Sequence, residues 1–173
     1  MGSSIPIRTV FATLFDYFQD YVHLRVRNFD YVISEAQNWV AKRYISAMLQ
    51  KKMSFKTYEE RRDAAMKIMD EAEQVKEFFI QHAPKVAKFD SPFDIITTLA
   101  EVLKSEDPEI LSLDLHGLVD KYPDVTQDHL IHLLSLRGDI SRSEAREKVA
   151  YILRTNKTRQ RPTIPKSIFS LIP

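Results

Sequence analysis

The sequence predicts an all-α fold, an antiparallel multi-helix bundle, on three observations. Apolar residues return at three- and four-residue steps along most of the chain, the spacing of one face of a helix. Only 3 glycines occur in 173 residues, too few for the turn chemistry of a β-sandwich or for a Gly-rich phosphate loop. Helix-start signals recur between the apolar runs, each a Ser, Thr or Asp followed by Pro or, three residues on, by Glu.

The first periodic segment covers about Ile7 to Leu24, with Val10, Phe11, Leu14, Phe18, Tyr21 and Val22 as its stripe. Pro6 suits its first turn and Ser4 its cap. Arg25, Arg27 and Asn28 interrupt the pattern, and a second helix then carries Tyr31, Val32, Ala36, Trp39, Val40, Tyr44, Ala47 and Met48. It ends among Lys51 and Lys52, cations that complement a helix C-terminus.

Thr57-Tyr58-Glu59-Glu60 reads as a capping box. The helix it opens continues to about Gln81 with Ala65, Ile68, Met69, Ala72, Val75 and Phe79 inward. Arg61, Arg62, Asp63, Lys67, Asp70, Glu71, Glu73 and Lys76 form its outer, solvated face, and Pro84 stops it. Ser91-Pro92 begins a helix that buries Ile95, Ile96, Leu99, Val102 and Leu103. Asp107-Pro108 begins the next, apolar through Leu111, Leu113, Leu115, Leu118 and Val119 and closed by Pro123. Thr126 or Asp124 caps a helix burying Leu130, Ile131, Leu133, Leu134 and Leu136 and ending at Gly138, where a positive φ is expected. Ser141-Arg142-Ser143-Glu144 is a second capping box, opening a helix through Val149, Ile152 and Leu153.

The chain divides into residues 1–5, an expression scar or fragment boundary; 6–156, the helical bundle; and 157–173, a basic tail anchored by Ile168, Phe169 and Leu171. Met1-Gly2-Ser3-Ser4 suggests myristoylation only superficially, because Pro6 stands where that signal needs Ser or Thr. A hydrophobic share of 44% beside 28% charged residues places the chain among folded globular domains rather than disordered ones. The absence of cysteine excludes disulfides and thiolate metal sites and suits a reducing compartment. A net charge of +1 does not call for a nucleic-acid partner.

Catalytic and metal chemistry find no foothold in the sequence. It contains no G-x-S-x-G, no H-E-x-x-H and no P-loop lysine, and no enzyme activity is expected. His129 and His132 lie one helical turn apart beside Asp128, but a metal needs a third rigid ligand and none stands at ligand spacing, so no metal or cofactor is expected. Arg137-Gly138-Asp139 spells an integrin-binding tripeptide, yet its place between two helices makes it a helix-turn-helix corner.

Charge separation is more informative. Asp90, Asp94, Glu101, Glu106, Asp107, Glu109, Asp114, Asp120, Asp124 and Asp128 make the middle acidic. Lys51, Lys52, Lys56, Arg61 and Arg62 form a basic corner, expected to bind a protein partner. Arg154, Lys157, Arg159, Arg161 and Lys166 make the tail basic, expected to bind an anionic lipid surface.

These blocks carry a resemblance. Tyr44 to Phe55 (YISAMLQKKMSF), Glu59-Glu60-Arg61-Arg62, Leu118 to Asp124 (LVDKYPD) and above all Leu133 to Arg142 (LLSLRGDISR) are similar to the exocyst complex component 3 family, in order, over roughly residues 9 to 153. The resemblance implies a helical bundle of the rod type found in multisubunit tethering complexes, with no catalytic residues. It implies a protein-protein interaction module of a vesicle-tethering subunit, cytoplasmic and peripheral at the plasma membrane, that helps dock secretory vesicles before SNARE-mediated fusion. Its partners would be other exocyst subunits, with SNARE machinery or a Ral GTPase beside them. The tail after Leu153 is more similar to the component 3-like and M-Sec-type paralogues, which implies the alternative of acting with Ral GTPase and the exocyst in membrane protrusion and nanotube formation. Peripheral binding to anionic lipid through the tail stays open beside both.

Overall fold

A computed structural model describes residues 7–21, 26–50, 53–86 and 91–173. Ser4, Pro6, Val22, Leu24, Lys51, Lys52 and Asp90 therefore lie outside the described residues. Seven α-helices follow one another there: α1 Ile7–Tyr21, α2 Val26–Gln50, α3 Tyr58–His82, α4 Asp94–Lys104, α5 Pro108–Lys121, α6 Gln127–Ser135 and α7 Arg142–Thr155. A single 3-10 turn, Ile168–Leu171, closes the chain.

The helix starts are built largely as the sequence predicts. Thr57 Oγ1 accepts the Glu60 N–H while the Glu60 carboxylate accepts the Thr57 N–H, a complete capping box. Asp107 accepts from the Glu109 and Ile110 N–H groups, with Pro108 in the first turn. Thr126, not Asp124, caps α6, and the box there is closed by His129 in place of a carboxylate. Ser141 caps α7 through the Glu144 N–H, without the reciprocal bond of a full box. Ser91 sits two residues too early to cap α4 and instead accepts the Phe93 N–H.

Helix α4 is the axle of the core. Ile95, Ile96, Leu99, Ala100, Val102 and Leu103 are all buried, so it is apolar around most of its circumference. Its most extensive packing is against α3, and it also touches α2, α5 and α6, while α6 packs chiefly on α7. Helix α1 joins through an aromatic cluster: Phe11 stacks on Phe78 with ring centroids 4.9 Å apart, and Phe18 meets Phe29, Phe78 and Phe79.

Helix α2 departs from the expected stripe. Tyr31, Trp39 and Ala47 point to solvent, and the buried line is Ile33, Gln37, Val40, Ala41, Ile45 and Leu49. Both lines have helical spacing, and packing against α4, α6 and the C-terminal turn selects the second. Glu71, expected on the outer face of α3, turns toward α2, where Tyr44 Oη donates to its carboxylate at 2.6 Å. Burial first, and that bond second, hold the Tyr44 phenol well above its ordinary range.

The corner between α6 and α7 is also built differently. Gly138 does not have a positive φ. It is needed because the strand-like segment before α3 runs alongside: the Phe55 N–H donates to Leu136 O at 2.8 Å and the Gly138 N–H to Phe55 O at 2.9 Å. A Cβ at position 138 would stand 2.7 Å from Lys56 Cγ and 2.9 Å from Lys56 Cα, closer than atoms pack.

Candidate functional site

The basic corner is smaller than the sequence suggests. Lys56 and Arg62 are exposed, Arg62 pairing with neighbouring Asp63 at 3.1 Å. Arg61 faces inward and is only 4% exposed. Its Nη1 donates to Lys56 O at 3.1 Å and its Nη2 pairs with Asp139 at 3.2 Å. The expectation that Arg61 greets a partner is therefore corrected. The signal was present in the periodicity: stepping back four residues from Ala65 along the buried line Ala65, Ala72, Val75, Phe79 lands on Arg61.

The Asp139 carboxylate that holds Arg61 belongs to the integrin-like tripeptide, and Arg137 completes the cluster. Its Nε and Nη2 donate to Asp139 at 3.1 and 2.8 Å. Its Nη1 reaches the end of α4, donating to Val102 O at 2.9 Å and Ser105 O at 2.6 Å, with Leu103 O at 3.5 Å. These are carbonyls at a helix C-terminus, which lack intrahelical donors and carry its negative partial charge. Arg137 is 2% exposed, so the tripeptide is an internal latch joining α3, α4 and the α6–α7 corner and offers no arginine to a receptor.

The histidine pair separates in the same way. His129 is buried, its Nδ1 accepting the Thr126 N–H and its Nε2 facing Ile172 O at 3.2 Å, while His132 points to solvent. Both ring nitrogens of His129 are committed, and the two side chains do not converge on a metal position.

The tail is held against the body. Asn156 and Thr158 both donate to Asp120, at 2.8 and 3.0 Å. Asp124 accepts from the Ser167 N–H, the Ser167 hydroxyl and the Ser170 N–H. Ile168, Phe169 and Ile172 are buried, whereas Leu171, expected as an anchor, is 54% exposed. Of the tail cations, Arg159 donates to Val125 O and is half-buried. Arg154, Lys157, Arg161 and Lys166 project outward from this fixed path, with Arg154 lying over the Tyr151 ring at 5.9 Å.

Large apolar side chains also stand in solvent. Trp39 on α2 is 61% exposed, with Arg43 over its ring. A groove of about 500 Å³ runs between α5 and α7, lined by Pro108, Glu109, Ser112, Leu113, His116 and Lys148. Leu113, part of the apolar run read along α5, is 70% exposed on its wall. Among the described residues no set of His, Cys, Asp or Glu side chains is arranged to hold a metal ion. No helix of the described residues is long and apolar enough to cross a membrane.

Comparison with known proteins bears on these surfaces. The family model of exocyst complex component Sec6 matches residues 3–142. Exocyst complex component 3 of Drosophila melanogaster is 46% identical over 157 residues, covering 91% of this chain and 21% of the relative. An exocyst complex component 3-like protein of Mus musculus is 32% identical over 155 residues, covering 90% of this chain and 21% of the relative. The chain thus spans about a fifth of the length of these curated relatives. The crystal structure of M-Sec superposes with a TM-score of 0.80 over 96% of this chain and 28% of that one; at 20% identity this likeness concerns the fold.

Proposed function

The chain belongs to the family of exocyst complex component Sec6, and from that premise we propose that it is a non-catalytic interaction module of a vesicle-tethering subunit. It binds other exocyst subunits in the cytoplasm, at the plasma membrane. The observation that carries this reading is the display of large apolar side chains, Trp39 and Leu113 foremost, on helices whose opposite faces are locked into the core. Single exposed apolar side chains are ordinary; Leu113 and Tyr151, both exposed about the α5/α7 groove, are what a partner would cover together. Docking before SNARE-mediated fusion, or work with a Ral GTPase in membrane protrusion, are the finer forms this reading takes.

The basic corner is the first contact to test, with Arg61 left untouched because it is internal. Purified exocyst subunits on beads are expected to retain the parent chain. The variant Lys51→Glu, Lys52→Glu, Lys56→Glu, Arg62→Glu should be retained at least tenfold less while its melting curve is unchanged. Failure of the parent to bind any subunit would sink the tether reading; equal retention of both would move the contact elsewhere on the chain.

A second reading rests on the tail. Arg154, Lys157, Arg161 and Lys166 project from a segment pinned by buried residues, and each basic residue near an anionic leaflet contributes about 1 kcal/mol. Phosphatidylserine vesicles added to the same assay should then capture the chain and release it as salt rises, since screening shortens the attraction. Capture that ignores both salt and reversal of these four charges removes the tail from the binding surface.

A further inference from the structure

The groove between α5 and α7 carries features that the folding of this chain leaves unexplained. Along α5, Ile110, Leu113 and Gly117 follow at i, i+3 and i+7 and make one exposed line; Leu113 is in the groove wall, and Ile110 and Gly117 stand beside it. Ile110 is 53% exposed, and Tyr151 on α7 is 56% exposed across the gap. Lys148 Nζ stands 3.4 Å from Ser112 Oγ and ties the two helices along the floor.

Gly117 is the sharper observation. It sits in the interior of a helix, where glycine is the least favourable residue after proline. Nothing lies within 4 Å of the position a Cβ would take, and its backbone is not left-handed. Gly138 is explained by the close approach of Lys56; among the described residues no neighbour explains Gly117. A bare spot on an exposed helix admits the close approach of another backbone, the use small residues have where helices pack tightly. The rim fixes the sign of what approaches. Glu109, Glu144 and Glu147 line the groove with Lys148 as the one opposing cation in the lining.

We propose that the α5/α7 groove docks an amphipathic helix of a partner protein. Its apolar stripe covers Leu113 and Tyr151, its backbone passes close over Gly117, and its Lys or Arg flanks meet the three carboxylates. The inference deepens the interaction-module reading and rests on it, and its test contains no exocyst component, so the two can fail separately.

The probe is a 20-residue helical peptide with leucines at i, i+3, i+4 and i+7 and lysine flanks, set against a twin with glutamate flanks. Both are titrated into the isotopically labelled chain and followed by amide NMR. Saturable shifts are expected at Ser112, Leu113, His116, Gly117, Lys148 and Tyr151, with the glutamate twin at least tenfold weaker. Leu113→Lys and Gly117→Met should each weaken the lysine peptide at least tenfold. Gly117→Ala, which adds only a Cβ in open space, should raise the melting temperature by about 2–4 °C. Gly117→Met should not lower it. Absence of saturable binding overturns the proposal. Shifts centred on another face, equal affinity for the two peptides, or indifference to both groove variants overturn it as well.

Discussion

Replacing Arg137 by Met is expected to destabilise the chain by about 3 kcal/mol, lowering its melting temperature by about 10 °C. The side chain is 2% exposed and its guanidinium serves two kinds of partner at once. Removing it leaves Val102 O and Ser105 O at the end of α4 without their donor, each a desolvated acceptor. It also leaves Asp139 with Arg61 as its remaining cationic partner. Asp139 is 31% exposed, so water recovers part of the loss, and this keeps the figure at the low end for a broken buried pair. Arg137→Lys should fall between parent and Met variant. An ammonium keeps the charge but cannot hold a bidentate carboxylate and two carbonyls in one plane. Thermal melts of the three proteins, read by circular dichroism, decide it. A Met variant that melts with the parent would mean that the latch is ornamental.

Much of the fold was legible because local rules and tertiary packing agree over most of the chain. The capping box at Thr57, the Asp107-Pro108 start and the leucine cluster of α6 are consistent signals at every level. The differences have one physical source: residue class is a poor guide to direction. Charge alone puts Arg61 and Glu71 on the outer face, though Arg61 lies on the same helical line as Ala65 and Phe79. Tyr31 and Trp39 join the expected stripe of α2 because they are apolar, though neighbouring helices select a different line. Spacing decides where a side chain points, and polarity tells only whether the direction needs a partner.

The acidic middle shows what that partner can be. Read from sequence, it is a field that steers docking. In the fold six of its ten members are already engaged: Asp94 with Lys76, Glu101 with Lys104, Asp107 as a cap, Asp114 with Ser105, Asp120 with Asn156 and Thr158, Asp124 with the tail. Glu109, Glu144 and Glu147 remain along the α5/α7 groove, two of them on a helix outside that acidic stretch. The charge around the groove is thus assembled by folding, from Glu109 of the acidic middle, Glu144 of the Ser141 cap and Glu147 one turn farther along α7.

Two leucines of this chain are expected to respond very differently to the same substitution. Leu134 on α6 is 0% exposed, whereas Leu113 on α5 is 70% exposed. Truncating a buried leucine alone costs about 2–5 kcal/mol, and a carboxylate in its place adds the price of a buried charge without a partner. A domain has only about 5–15 kcal/mol in total, so Leu134→Asp should unfold the part of the bundle built around α4, α6 and α7. Leu134→Met, which conserves volume, should cost less than about 1.5 kcal/mol. Leu113→Asp should change stability by no more than about 0.5 kcal/mol, because its side chain already lies in water. Circular-dichroism melts of the four proteins separate these cases. Native-like melting of Leu134→Asp would mean that α6 does not seal the core. A large loss with Leu113→Asp would mean that the groove is closed by this chain's own packing, leaving no room there for a partner.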